Sequence, residues 1–97
     1  MKALKFEWDS SKAASNIKKH GISFDEAKTV FDDDFGRLIP DPDHSQEEDR
    51  FILLGMSYTL KILTVVHCYR DNDGVIRIIS ARASTKNEER QYKEFLP

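Results

Sequence analysis

The sequence predicts a single α+β domain spanning residues 1–97, built as an antiparallel β-sheet with two N-terminal helices and one C-terminal helix. Three observations lead there. Apolar, β-branched runs at 50–56, 61–69 and 75–82 follow one another through short turns, with Asp73-Gly74 as a strong hairpin signal before the third. Turns that short make antiparallel neighbours, because a parallel crossover takes about a dozen residues or more. Two helix starts are written as capping boxes, Ser23 with Glu26 and Thr85 with Glu88, in which a hydroxyl takes an orphan helix N–H and the carboxylate returns to the cap amide. Finally, 97 residues fill one modest core and leave no room for a second domain.

In chain order, Leu4-Lys5-Phe6-Glu7-Trp8 alternates apolar and charged residues and reads as a half-buried strand. Asp9 can cap a helix over 10–20, with Ala13, Ala14 and Ile17 as its apolar face, cationic Lys18, Lys19 and His20 at its end, and Gly21 as a left-handed stop. The second helix follows Ser23, buries Phe24, Ala27, Val30 and Phe31, and ends near Asp32-Asp33-Asp34. Residues 36–40 suit a short strand. The stretch from Asp41-Pro42-Asp43-His44 to Asp49, acidic and carrying a proline, reads as a loop. In Arg77-Ile78-Ile79-Ser80-Ala81-Arg82, period-two alternation puts Arg77 and Arg82 on opposite faces of the last strand. The helix after Thr85 closes the chain.

Composition narrows the function. The lone Cys68 forbids an internal disulfide and suits a reducing compartment. No apolar stretch approaches the ~20 residues of a membrane span, and the N-terminus lacks the apolar core of a secretory signal, so a cytoplasmic protein with no membrane partner is expected. The net charge of −2 conceals an asymmetry: residues 1–49 hold seven Lys/Arg against twelve Asp/Glu, and the remainder eight against five. The total is too acidic for a nucleic-acid footprint by composition alone, yet a local arginine cluster can hold a phosphate. No glycine-rich phosphate loop or nucleophile elbow is present. Asp41, Asp43, His44 and the remaining histidines and cysteine lack the close pair spacing of a zinc site, so neither metal nor cofactor is expected.

Four segments, in this order, carry a resemblance: Asn16-Ile17-Lys18-Lys19-His20-Gly21-Ile22-Ser23-Phe24, Asp41-Pro42-Asp43-His44, Val65-Val66-His67, and Arg77-Ile78-Ile79-Ser80-Ala81-Arg82 with Glu88 and Tyr92 beyond it. Together they resemble the BrnT family of bacterial toxins over nearly the whole chain. The resemblance implies a RelE/ParE-like fold, a ribonuclease that halts translation within a type II toxin–antitoxin system, a BrnA-type antitoxin as partner, RNA as substrate, and operator DNA only indirectly through the antitoxin. The sequence departs from the family pattern at the turn 57–61, which lacks the usual glycine, in a longer 70–74 loop, and at Glu89, where many members carry a basic residue.

Metal-independent RNA cleavage needs a base for the ribose 2′-OH, charge stabilisation at the phosphate and an acid for the leaving oxygen. Arg82 is the expected phosphate clamp because a guanidinium fork donates two bonds and stays charged, with Arg70 beside it; His67 and Glu88 are the expected acid and base. Arg77, Lys86, Arg90 and Tyr92 are the expected RNA contacts, Tyr92 by stacking or by its hydroxyl. Plainer roles stand beside these: Arg82 paired with Glu88, His67 a hydrogen-bonded strand histidine, Arg77 on the sheet surface, Glu88 a cap, Tyr92 packed on the sheet, and Lys86 and Arg90 on a solvated face. A non-catalytic binding module and a gyrase poison of the same fold are the alternative functions.

Overall fold

The computed structural model describes residues 4–41, 50–72, 74–94 and 96–97. Five strands, Lys5–Glu7 (β1), Arg37–Pro40 (β2), Arg50–Met56 (β3), Ile62–Arg70 (β4) and Val75–Ala83 (β5), form one sheet in the order β1-β5-β4-β3-β2. The expected meander is present, with β3, β4 and β5 antiparallel and β2 antiparallel to β3. β1 adds to the far side of β5 in parallel, pairing Lys5 with Val75 and Glu7 with Arg77. The helices are Ser10–His20 (α1), Phe24–Ala27 (α2) and Lys86–Lys93 (α3). Residues 42–49, most of the expected acidic loop with Asp43 and His44, lie outside the described residues.

One face of the sheet carries the core. Leu53, Leu63, Val65, Ile76, Ile78 and Ala81 meet Ile22, Phe24, Ala27 and Val30, and each fully buried aliphatic side chain among them contributes about 1.5–3 kcal/mol. The second helix is shorter than its apolar spacing predicts, one α-turn followed by a 3-10 segment, Lys28–Asp32. The Thr29 hydroxyl donates to the Glu26 carbonyl at 2.6 Å, engaging the acceptor that an α-helical Val30 amide would use. Ser23 caps the Glu26 amide, but the Glu26 carboxylate does not return to it. It accepts instead from the hydroxyls of Ser57 and Thr59, binding the β3–β4 turn to α2. Gly55 lets that segment approach β3, since a Cβ there would sit 3.0 Å from the Val30 Cβ.

α1 departs most from expectation. Its caps are as predicted, Asp9 accepting from the Ser11 and Lys12 amides and Gly21 at φ 70° donating to Ile17. Its buried residue is Asn16, whereas Ala14 is exposed and Ile17 is 51% exposed. The reason is polar. Asn16 Nδ2 donates to the carbonyls of Ile22 and Ala81, both at 2.8 Å, and its Oδ1 accepts from the Ala81 amide at 3.1 Å. Beyond the three residues of β1, this side chain takes the place of a neighbouring strand for Ala81.

Two turns use unexpected residues. Between β4 and β5 the left-handed positions are Asp71 and Asn72, at φ 53° and 54°, rather than Gly74; short polar side chains tolerate this region. In the β3–β4 turn Leu60 holds φ 65° with its side chain 77% exposed. Leu60→Gly is expected to raise stability by about 0.5–1 kcal/mol, relief of the left-handed penalty outweighing the added chain entropy, as read by a higher thermal midpoint. Asn16→Ala is expected to cost about 2–4 kcal/mol by leaving buried groups of Ile22 and Ala81 unsatisfied; a loss below about 1 kcal/mol in urea titration would mean that water replaces the amide.

Candidate active site

The site grows from the β5–α3 junction. β5 ends at Ala83, the Ser84 amide donates to Ile62, and Thr85 starts α3 with a complete capping box: its hydroxyl accepts from the Glu88 amide at 3.2 Å and its amide donates to Glu88 Oε1 at 2.9 Å. The same carboxylate receives both arms of the Arg82 fork, Nη1 to Oε1 at 2.6 Å and Nη2 to Oε2 at 2.9 Å. The Thr64 hydroxyl adds a third partner at 3.0 Å and lies 2.8 Å from the Ser84 hydroxyl. The Arg82 bonds, opposed by burial and aided by Thr85 and Thr64, hold Glu88 down to about 2. Glu88 in turn raises Arg82 further above its usual value. Arg82 is 41% and Glu88 19% exposed, so the pair opens to solvent.

Arg77 and Arg82 lie on the same face, against the expectation from alternation. Val66 pairs with Ser80 but His67 pairs with Ile78, so Ile79 is an extra residue in β5 that resets the alternation. Arg82 therefore stands opposite Thr64 and Arg77 opposite Cys68, both on the face of β4 turned from the core. Along that face run the rows Arg37-Leu54-Thr64-Arg82, then Ile39-Ile52-Val66-Ser80, then Arg50-Cys68-Arg77-Glu7. Arg77 donates to Glu7 at 2.6 Å, and this bond raises it above its usual value. α3 covers the first row: Leu54 and Thr64 are buried, and Arg37 Nη1 donates to the Gln91 carbonyl at 3.1 Å and sits 3.8 Å from Glu94.

The other expected site residues are dispersed. Arg70 is on the same face but six residues from Thr64 along β4, roughly 20 Å away, so it does not flank Arg82. Lys86 and Arg90 are exposed on the side of α3 turned away from Glu88. Tyr92 is 3% exposed, and its hydroxyl donates to Asp33 Oδ2 at 2.6 Å, so it neither stacks on a base nor offers its proton outward. Burial and the Asp33 carboxylate push it up to about 12. Burial would raise Asp33 as well, but the bonds from Tyr92 and from the Met56 and Phe35 amides hold it below the usual range.

His67 is on the opposite, core face of the sheet and has no exposed surface. Its ring lies edge-on to Phe31 at 4.8 Å and to Tyr69 at 5.3 Å, with Nδ1 3.2 Å from the Val65 carbonyl and Nε2 3.3 Å from the Tyr69 hydroxyl. It does not reach the Arg82 cluster. Sequence reasoning missed Thr64, Ser84 and Arg37. A hydroxyl inside the apolar block 62–66 was the available signal for Thr64. Among the described residues no group of three His, Cys, Asp or Glu side chains is placed to hold a metal ion. No described helix is long and apolar enough to cross a membrane.

Comparison with known proteins identifies the family. Residues 8–88 match the family described as "Ribonuclease toxin, BrnT, of type II toxin-antitoxin system". The chain belongs to the BrnT family of ribonuclease toxins. The fold is similar to the 1.1 Å crystal structure of the Brucella abortus ribonuclease toxin BrnT, with a TM-score of 0.67 and 23% identity over 87% of this chain and 100% of that one. No protein among those with curated descriptions matches the chain. Membership of a type II toxin–antitoxin family implies an antitoxin partner.

Two acid-sensitive windows follow from the shifted groups. Burial, opposed by the Val65 carbonyl, lowers His67 from 6.5, so below pH 6.5 the unfolded chain takes a proton that the folded chain refuses. Stability should then fall by up to about 1.4 kcal/mol per pH unit until the folded value is reached. Glu88 acts lower: its stabilisation is complete above 4.5 and is lost as pH falls towards about 2. Urea titrations should find the first slope removed in His67→Gln and the second in Glu88→Gln; a wild-type stability flat from pH 6.5 to 5 would contradict the first.

Proposed function

We propose that this chain is an endoribonuclease toxin that halts translation by metal-independent cleavage of RNA in the cytoplasm, on a RelE/ParE-like fold, and that a BrnA-type antitoxin neutralises it. The observation that carries the reading is the convergence of Arg82's two N–H groups, the Thr64 hydroxyl and the Thr85 amide on one carboxylate at a solvent-open junction. A planar fork that grips carboxylate also grips phosphate, so a phosphodiester competes with Glu88 for the donors it occupies at rest. Arg82 then neutralises the charge that grows on the phosphoryl oxygens. Released from Arg82, Glu88 loses the main cause of its low pKa and moves towards the range of a useful base for the ribose 2′-OH, and the proton it takes from that hydroxyl passes on to the leaving 5′-oxygen, directly or through water. Arg77, on the same face, contacts the flanking backbone. His67 takes no part in proton transfer, because its ring is shut inside the core.

The antitoxin is expected to cover part of the surface bearing Arg70, Arg77, Arg82 and Lys86 with carboxylates and apolar groups, and charge reversal at Lys86 and Arg90 to weaken the complex. The test of the enzyme is transcript cleavage by purified protein with a chelator present. Arg82→Ala should lower the rate by about 10²–10³-fold with an unchanged circular dichroism spectrum, and Arg82→Lys should recover part of it, because charge returns without the fork. Full activity in Arg82→Ala would remove the clamp. Growth arrest without any cleavage would favour the gyrase-poison function.

A further inference from the structure

Helix α1 is not used by the reading above, yet its charge is unlike that of the rest of the chain. Its eleven residues include Lys12, Lys18, Lys19 and His20 and no acid, in a protein with 17 Asp/Glu against 15 Lys/Arg. All four side chains are exposed, and none forms an ion pair with a described residue. The cations of the last turn complement the helix dipole, but Lys12 stands in the first turn, where the dipole disfavours a cation. The attraction between Lys12 and the capping Asp9 carboxylate offsets part of that cost.

The contacts of α1 orient this charge. Asn16 points into β5, and Ala13, three residues before it, packs on the core cluster. Lys12 and Lys19 are four before and three after Asn16, on the flank opposite Ala13, with exposed Ser15 between them. This flank looks towards the outer edge of the face that bears Arg77 and Arg82. At one end the Asp9 carboxylate, held low mainly by the Lys12 and Ser11 amides, is attracted also by the Lys12 and Arg77 charges; further along, Asn16 holds Ala81, the residue before Arg82.

We propose that the stripe Lys12-Ser15-Lys19 is a second RNA contact, taking backbone phosphates of the single strand on either side of the one held by Arg82; this rests on the ribonuclease reading. Lys12 and Lys19 are about 10 Å apart along the helix axis, a span suited to a chain of phosphates. The stripe has no apolar or aromatic anchor, which a protein partner needs, whereas a phosphate backbone asks only for charge and hydrogen-bond donors.

The test is fluorescence anisotropy of a labelled single-stranded RNA of about twelve nucleotides with the full chain, across a salt series. Lys12→Gln with Lys19→Gln should weaken binding about tenfold and flatten the slope of log K against log salt by about 1.4, the value for two lost phosphate contacts. Lys18→Glu, on the outer side of α1, should change binding by less than twofold. Circular dichroism of each variant checks the fold. Equal affinity and slope in the double variant overturn the stripe, as does an unchanged RNA affinity accompanied by loss of antitoxin binding, which would assign it to an acidic protein. Arg82→Ala cleavage of the same RNA reports separately on the clamp, so either can fail alone; a wild type that binds no RNA refutes both.

Discussion

The fold depends on one amide. β5 needs partners on both sides, but β1 supplies only the first stretch, up to Arg77. Past that point Asn16 offers a C=O and an N–H in the arrangement of a peptide group, and Ala81 accepts and donates to it as to a strand. The third bond, to Ile22, ties the chain leaving α1 to the same place and starts α2 over the core. One polar side chain thus fixes a helix, a strand edge and a loop. The neighbours of Ala81 on β5 are Ser80 and Arg82, so the backbone that carries the guanidinium is secured from behind.

Around that fixed point the junction is held by charge-assisted bonds. Glu88 ties α3 to Arg82 and Thr64, while Tyr92, one turn on, ties it to Asp33 and through Asp33 to the Met56 amide of β3. The far end of α3 is held by Arg37. Because Glu88 and Tyr92 share one side of the helix, displacing the carboxylate from Arg82 leaves Tyr92 and Arg37 as tethers. The proposed exchange of Glu88 for a phosphodiester on the fork therefore leaves α3 on the sheet.

What the sequence revealed and what it hid divide along physical lines. The meander, the Thr85–Glu88 capping box and the Gly21 stop were legible because they rest on local chemistry: apolar runs, a hydroxyl with a carboxylate three residues on, a left-handed residue. The inward turn of Asn16 was not, since its strand partner Ala81 lies 65 residues away and an asparagine among lysines reads as surface. Nor was the bulge at Ile79, which no residue type announces and which alone places Arg77 and Arg82 on one face. Of the residues expected at the site, Arg82 and Glu88 met because they are six apart across a turn. His67 failed because alternation fixes its face by register with Arg82's partner, Thr64, an odd number of residues away.

The parallel pairing of β1 with β5 has a consequence for the life of the chain. It joins residues about 70 apart in sequence, so the loop that must close spans two helices and the three other strands, and such contacts form late and slowly. The first strand of the sheet must wait for the fifth, and Arg82 and Glu88 sit on that fifth strand and on the helix just beyond it. The folding chain can hold α1, α2 and the β2–β4 ladder before it holds the junction, whose helix α3 needs Arg82 and Thr64 in place. Until β5 docks, Arg82 lacks the sheet that sets its face, so the junction is among the last parts of the fold to form.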